Sequence, residues 1–287
     1  MVFFRAISWL PFPVLYSLAW FGYLLLYYAV GYRKAVVVKN LEMAFPDKSA
    51  REITYLAKKF YRQLAETSLE IIKARRMSKQ DFRQRVTVIN PELLRDYSNN
   101  YTESVIITSI HQANWEWMLH GVNCATNVPM DPVYKPLHDK VTDKLIFDIR
   151  RQFGSRPLSM KESTRDILRR RREFRLFVMI GDQSPTRKER SYWTSFMNRD
   201  AAFYLGAEII AKTTKFPLLF AQCRRSKRGH YEVTFHEIGR PPHNKEGHQL
   251  TDRYVELAEM AIRAQPDSWL WSNRRWKRLR EEEEVNT

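Results

Sequence analysis

Cysteine is scarce in this sequence of 287 residues: Cys124 and Cys223 are the only two. Two thiols in apolar surroundings, 99 positions apart, make neither a disulfide framework nor a zinc-ligand spacing. They read as buried free thiols of a reducing compartment. Acidic side chains are also in short supply, 32 against 48 basic, which leaves a formal net charge of +16. That excess implies an anionic partner: membrane lipid, an acidic protein or nucleic acid. No recognised nucleic-acid motif accompanies the charge, so we expect no nucleic acid. There is no internal repeat, and a hydrophobic content of 44% excludes wholesale disorder.

Charge is absent altogether from Ala6 to Tyr32. From Val14 onward this stretch has no proline, and nineteen helical residues at about 1.5 Å each reach roughly 28 Å, close to a hydrocarbon core. Trp9, Tyr16, Trp20, Tyr23, Tyr27, Tyr28 and Tyr32 supply rings that favour the lipid–water interface. Arg33, Lys34 and Lys39 follow, against Arg5 before it, which places the remainder on the cytoplasmic side. Residues 1–32 are therefore expected to be an anchor, spanning or interfacial, and 33–287 a cytoplasmic domain ending in an acidic tail, Glu281–Glu284. The segment is too long and aromatic for a cleaved signal peptide.

Ser49 and Glu52 form a capping-box pattern opening a helix whose apolar positions Ile53, Leu56, Phe60, Leu64, Ile71 and Ile72 follow a helical period. Its other face carries Lys58, Lys59, Arg62, Lys73, Arg75 and Arg76, a solvated face that can also rest on anionic headgroups. Beyond it, strand patterns at 104–110, 175–180, 217–223 and 231–238 alternate with helical patterns at 114–123, 142–153, 163–173, 201–213 and 251–265. The expected class is α/β, a central, mostly buried mixed sheet flanked by helices, with the N-terminal membrane-anchoring helix.

The run from Ser104 to Ile110 feeds into His111-Gln112-Ala113-Asn114-Trp115-Glu116. A strand delivering a histidine to its carboxyl end is where open α/β sheets place chemistry. A neutral imidazole can accept a hydroxyl proton near neutral pH, and a carboxylate can fix its tautomer. His111 is the candidate general base and Glu116 its orienter; taken alone, this spacing arises by chance in many proteins. A metal reading through His111, Glu116 and His120 lacks the H-E-x-x-H order and a further ligand. No Ser or Cys nucleophile with a matching base stands out, which favours direct transfer over a covalent enzyme intermediate.

HQANWEW (111–117), VYKPL (133–137), Arg150 to Gly154, GDQSP (181–185) and PDSWLWSNRRWK (266–277), together with the apolar amino terminus, make the chain resemble the late acyltransferases of lipid A biosynthesis. These lie within the broader H-x4-D/E lysophospholipid acyltransferase group. The resemblance covers most of the chain. It departs from the family pattern at Ala113, where Gly is usual, at Lys135, where Arg is frequent, and at Asn273, where His is usual. The dyad is untouched by these changes; acceptor identity is more open to them.

The resemblance implies transfer of a fatty acyl chain from acyl carrier protein to a hydroxyl of a lipid A precursor, an anionic glycolipid, at the bacterial inner membrane. No metal or organic cofactor is called for. It places Lys135 and Arg150 as anion or substrate contacts. Asp182 and Gln183 fall at the mouth of the site, touching sugar hydroxyls or holding a basic residue in place. Each also has a bland reading, as a surface charge or a strand-to-loop turn. Arg165, Arg169, Arg170, Arg171 and Arg172 form a dense basic helix for a carrier protein or lipid headgroups, by default a solvated face. Arg274 or Arg275 is expected near an anionic substrate while Trp269, Trp271 and Trp276 pack. Two other functions stay open: acylation of another membrane lipid, such as a lysophospholipid or aminolipid, from a carrier or coenzyme A thioester, and a non-catalytic basic membrane adaptor. The adaptor would keep full function in His111→Ala and lose it on charge reversal at 169–172.

Overall fold

Five consecutive buried residues, Val105–Ser109, form strand β2 at the centre of a seven-stranded sheet. The computed structural model describes residues 2–186, 190–278 and 280; the acidic run Glu281–Glu284 lies outside them. In chain order the elements are α1 (Val2–Trp9), α2 (Phe12–Leu24, continued by a π-turn at Leu25–Ala29), α3 (Lys34–Ala44), α4 (Ala50–Ala74), α5 (Lys79–Arg85) and β1 (Val86–Val88). Next come α6 (Pro91–Tyr97), β2, α7 (Trp115–Thr126), β3 (Met130–Tyr134), α8 (Lys140–Arg150), β4 (Leu158–Ser159) and α9 (Ser163–Arg169). The chain continues with β5 (Leu176–Ile180), β6 (Ser191–Phe196), β7 (Arg199–Tyr204), α10 (Gly206–Thr214), β8 (Leu218–Lys227), β9 (His230–Gly239) and α11 (Gln249–Ala264).

The sheet order is β1-β9-β8-β2-β5-β3-β4, and every neighbouring pair is parallel except β8 with β9. β2 is buried on both faces. Val105 and Ile107 pack into the core beneath α5 and α7, Ile106 into that beneath α10. Burying each such side chain contributes about 1.5–3 kcal/mol. A third core joins α2, α3, α4, α11 and the C-terminal tryptophans. The expected α/β architecture, a mostly buried sheet flanked by helices, is what the chain forms.

α4 begins at the expected capping box: Glu52 N–H donates to Ser49 Oγ (3.3 Å) and Ser49 N–H to Glu52 Oε2 (2.8 Å). Two sequence expectations need correction. The helix expected over 201–213 is shorter, because β7 pairs antiparallel with β6 across Met197 and Asn198. Both of these have positive φ (51° and 64°), the conformation of a tight two-residue hairpin turn. The basic helix expected over 163–173 ends at Arg169. Arg170 turns inward and, 8% exposed, bonds Asp166 and the fully buried Asp131. Asp131 also holds Arg175.

α2 does not stand apart from the body. It lies antiparallel along α4, with Leu15, Ala19, Tyr23 and Tyr27 buried and Val14, Leu18, Phe21 and Leu25 exposed.

Candidate active site

Strand register builds the centre of the site. Ser109 at the end of β2 is paired with Ile180 at the end of β5. His111 and Asp182 each stand two residues further on, so adjacent parallel strands deliver them side by side. His111 Nδ1 lies 2.6 Å from Asp182 Oδ1, and the His111 backbone N–H donates to Asp182 Oδ2 at 2.9 Å. Trp269 Nε1 donates to the same Oδ2 at 2.7 Å. A carboxylate at Nδ1 places the ring proton there and leaves Nε2 with the lone pair. Burial pushes the Asp182 carboxyl up, but the charge of His111 and the hydrogen bonds from His111 and Trp269 outweigh it and hold the carboxyl below its usual value.

The expected pairing of Glu116 with His111 is replaced by this one. Glu116, on the first turn of α7, gives its carboxylate to Arg150 at the end of α8: Nε–Oε2 is 2.9 Å and Nη2–Oε1 is 2.5 Å. Trp115 Nε1 donates to the same Oε1 at 3.1 Å. The physical reason is reach. Asn114 caps α7 by accepting from Trp117 N–H (3.0 Å), which winds Glu116 onto the helix, while the Arg150 fork engages both carboxylate oxygens. Burial raises the Glu116 carboxyl, yet the charge and hydrogen bonds of Arg150, aided by His120 and His111, bring it below its ordinary value. The Trp115 ring, 5.1 Å from the imidazole, stands between the two polar pairs.

Other expected residues scatter. Lys135 is exposed just past β3, on the same sheet edge as His111, and Gln183 is half-buried beside Asp182. Arg274 is exposed, but Arg275 is not at the surface. At 1% exposure it donates through Nη2 to Ala202 O (2.8 Å) and lies 4.2 Å from the Phe203 ring centre, a buried cation rather than a surface one. Burial lowers the Arg275 guanidinium to about 10, against the pull of Asp182. Arg165, Arg169, Arg171 and Arg172 are exposed, whereas Arg170 is buried in its ion pairs. The turn carrying Arg170–Arg172 precedes β5, so it lies at the opposite edge of the sheet from His111. His120 is buried against the Phe82 and Phe153 rings, and neither of its nitrogens has a hydrogen-bond partner among the described residues.

A narrow groove of about 120 Å³ has Phe60, Leu64, Ile71, Trp115, Trp269 and Leu270 as its apolar walls, and two of these, Trp115 and Leu270, contact His111. Ala113 lines it with φ of 53°, a left-handed conformation fixed by its N–H donating to Ser268 O (2.9 Å). The segment after Trp269 straps the site: Leu270 N–H donates to His111 O at 3.0 Å.

A histidine held by a buried carboxylate at adjacent strand ends is an arrangement able to move a proton. A family model described as bacterial lipid A biosynthesis acyltransferase matches residues 1–278. The chain belongs to that family. No curated protein matches it. As a bacterial lipid A biosynthesis acyltransferase it acts on a lipid acceptor, and its apolar span Phe12–Ala29, α2 together with the π-turn, is at 18 residues long enough to cross a membrane and fits membrane association. Sequence reasoning missed the His111–Asp182 contact in this acyltransferase. Its signal was present: two strand patterns, each followed at the same offset by a chemistry-bearing residue.

Proposed function

We propose that the protein transfers a fatty acyl chain from acyl carrier protein to a hydroxyl of a lipid A precursor, of the secondary acylation type, with His111 as general base. The observation that carries this reading is the His111–Asp182 pair, 2.6 Å apart; a carboxylate on Nδ1 favours the tautomer whose Nε2 accepts a proton. The acceptor hydroxyl gives its proton to Nε2 as its oxygen attacks the thioester carbonyl. A C–O bond forms, the tetrahedral oxyanion collapses, the C–S bond breaks, and the imidazolium returns the proton to the departing thiolate. Asp182 stabilises the imidazolium between these steps. Arg150, aimed by Glu116, is the cation we assign to an anionic group of the bound substrates. The groove at Ala113 takes the first part of the acyl chain. Lys135 and Arg274 are the exposed cations we assign to acidic donor or acceptor groups.

Location at the bacterial inner membrane, with the catalytic body facing the cytoplasm, is supported by the apolar α2 and by two buried free thiols, which suit a reducing compartment. The test is a mass-spectrometric transfer assay. Membranes carrying the wild type or His111→Ala are mixed with acyl-loaded carrier protein and an under-acylated lipid A precursor. A gain of one acyl chain with the wild type alone is expected. Equal gain with both would show that His111 is not the base, and no gain with either would redirect the search to another membrane lipid.

A further inference from the structure

α2 satisfies the length and composition of a membrane-crossing helix, but its surroundings do not. Along its whole course it is fastened to α4, a helix that carries Lys58, Lys59, Arg62, Glu66, Glu70 and Lys73. Tyr16 donates to the fully buried Glu70 (2.8 Å), and Lys73 donates to the carbonyls of Ser8 (3.0 Å) and Leu10 (2.8 Å) just before α2 begins. At the same end the Arg76 and Arg85 guanidiniums lie 3.5 and 3.6 Å from the Trp9 and Phe12 ring centres. Arg62 faces Trp20, and Lys58 faces Tyr27 and Tyr28 at the other end. A crossing α2 would therefore carry α4 into hydrocarbon, at about 2.5–3.5 kcal/mol for each Lys or Arg near the centre. Otherwise it would leave α4 and strip Glu70 and Lys73 of these partners.

We infer that α2 does not cross the bilayer: it lies in the plane of one leaflet, with its outer face immersed at the headgroup–acyl boundary of an anionic lipid surface. That face is Val14, Leu18, Phe21 and Leu25, all at least 40% exposed, flanked by the half-exposed Trp20 and by Tyr28. Such a face calls for an apolar medium on one side only. The lipid is identified by charge as well: exposed Arg33, Lys34, Arg62 and Arg76 lie against Tyr32, Tyr27, Trp20 and Trp9 along the N-terminal segment. Cations at that depth meet phosphates, at about 1 kcal/mol each. In this arrangement the cluster after Tyr32 is a headgroup contact rather than a topology signal. Nothing is translocated, and the body stays on the side where it was made.

The test uses the full chain. Cys124 and Cys223 are buried, with thiols pushed by burial up to about 11 and about 12, so they stay silent to maleimides in the folded protein. Arg5→Cys and Lys34→Cys, one on each side of α2, are treated with a membrane-impermeant maleimide in sealed vesicles of either orientation. Lys245→Cys on the exposed loop before α11 reports the side of the body. Labelling of Arg5→Cys and Lys34→Cys from the body's side, within about twofold of each other, is expected. Labelling of Arg5→Cys only from the opposite side would overturn the inference. A fluorophore at Phe21→Cys gives a second reading: stronger quenching by lipids brominated near the headgroup is expected, and a quenching maximum at mid-bilayer would overturn it. Neither reading depends on catalytic turnover, so failure here is distinguishable from failure of the proposed reaction.

Discussion

Asp182→Asn is the most revealing single change. In the wild type three N–H groups converge on this carboxylate: the His111 backbone, His111 Nδ1 and Trp269 Nε1. An amide of the same shape has one accepting oxygen. Its NH2 group either faces one of those donors or forces the imidazole into the tautomer protonated at Nε2, which cannot accept a proton. The variant also loses the charge beside the imidazolium. Two unit charges about 4 Å apart at an effective dielectric of about 20 interact by about 4 kcal/mol, worth about 10³-fold in rate. Adding the tautomer error, kcat should fall by about 10³- to 10⁴-fold. KM for the acceptor should barely move, because Asp182 is 2% exposed and lies behind the imidazole. Single-turnover transfer under saturating donor measures this. A kcat within tenfold of wild type, in a protein that melts normally, would refute the assignment. Stability adds a second signature. The carboxyl is held below its usual 3.8, so its contribution is complete above that value and is lost as pH falls through the lower folded value. Melting of the wild type should drop across that acid window, and the Asn variant should lack this component.

Glu116→Gln leaves the mostly buried Arg150 without a counter-charge and should cost about 3–5 kcal/mol, read by denaturant unfolding; an unchanged midpoint would mean the pair contributes little. Burial pushes His120 from 6.5 down to about 4, against the pull of Glu116, so the unfolded chain binds its proton first as pH falls. That should remove on the order of 3 kcal/mol of stability between pH 6.5 and 4, and His120→Phe, beside the Phe82 and Phe153 rings, should abolish this component of a pH-dependent melting series. At Gly121 an added Cβ would sit 2.2 Å from Val86 Cγ1, so Gly121→Ala should destabilise by about 1–3 kcal/mol; a neutral melting temperature would show that β1 can retreat from α7.

Local patterns were legible where local chemistry decides structure. The strand pattern at 104–110 stood out because a short run rich in Val, Ile and Thr favours a strand over a helix, and α4 announced itself through Ser49 and Glu52. What stayed hidden depends on partners far along the chain. His111 meets Asp182, 71 positions away, through the register of two strands, whereas Glu116, five positions away, is claimed by Arg150. Arg170 reads as one more surface cation until Asp131, 39 positions upstream, draws it inward. β3 contains Pro132 and a buried aspartate, which mask a strand. The segment after Asn198 carries helix-compatible residues, and the paired positive φ values at Met197 and Asn198 turn it into a hairpin.

The strap at Trp269 has a consequence for biosynthesis. The carboxylate that orients His111 is itself held by a side chain 87 positions further on, and the following residue closes on the His111 carbonyl. During translation the sheet can assemble around β2 and β5 well before this segment leaves the ribosome, yet the imidazole is fully framed only once residues 269 and 270 have emerged. A chain that ends before Trp269 lacks both of these contacts, so Asp182 and the His111 carbonyl lose a partner each while strands β2 and β5 are complete.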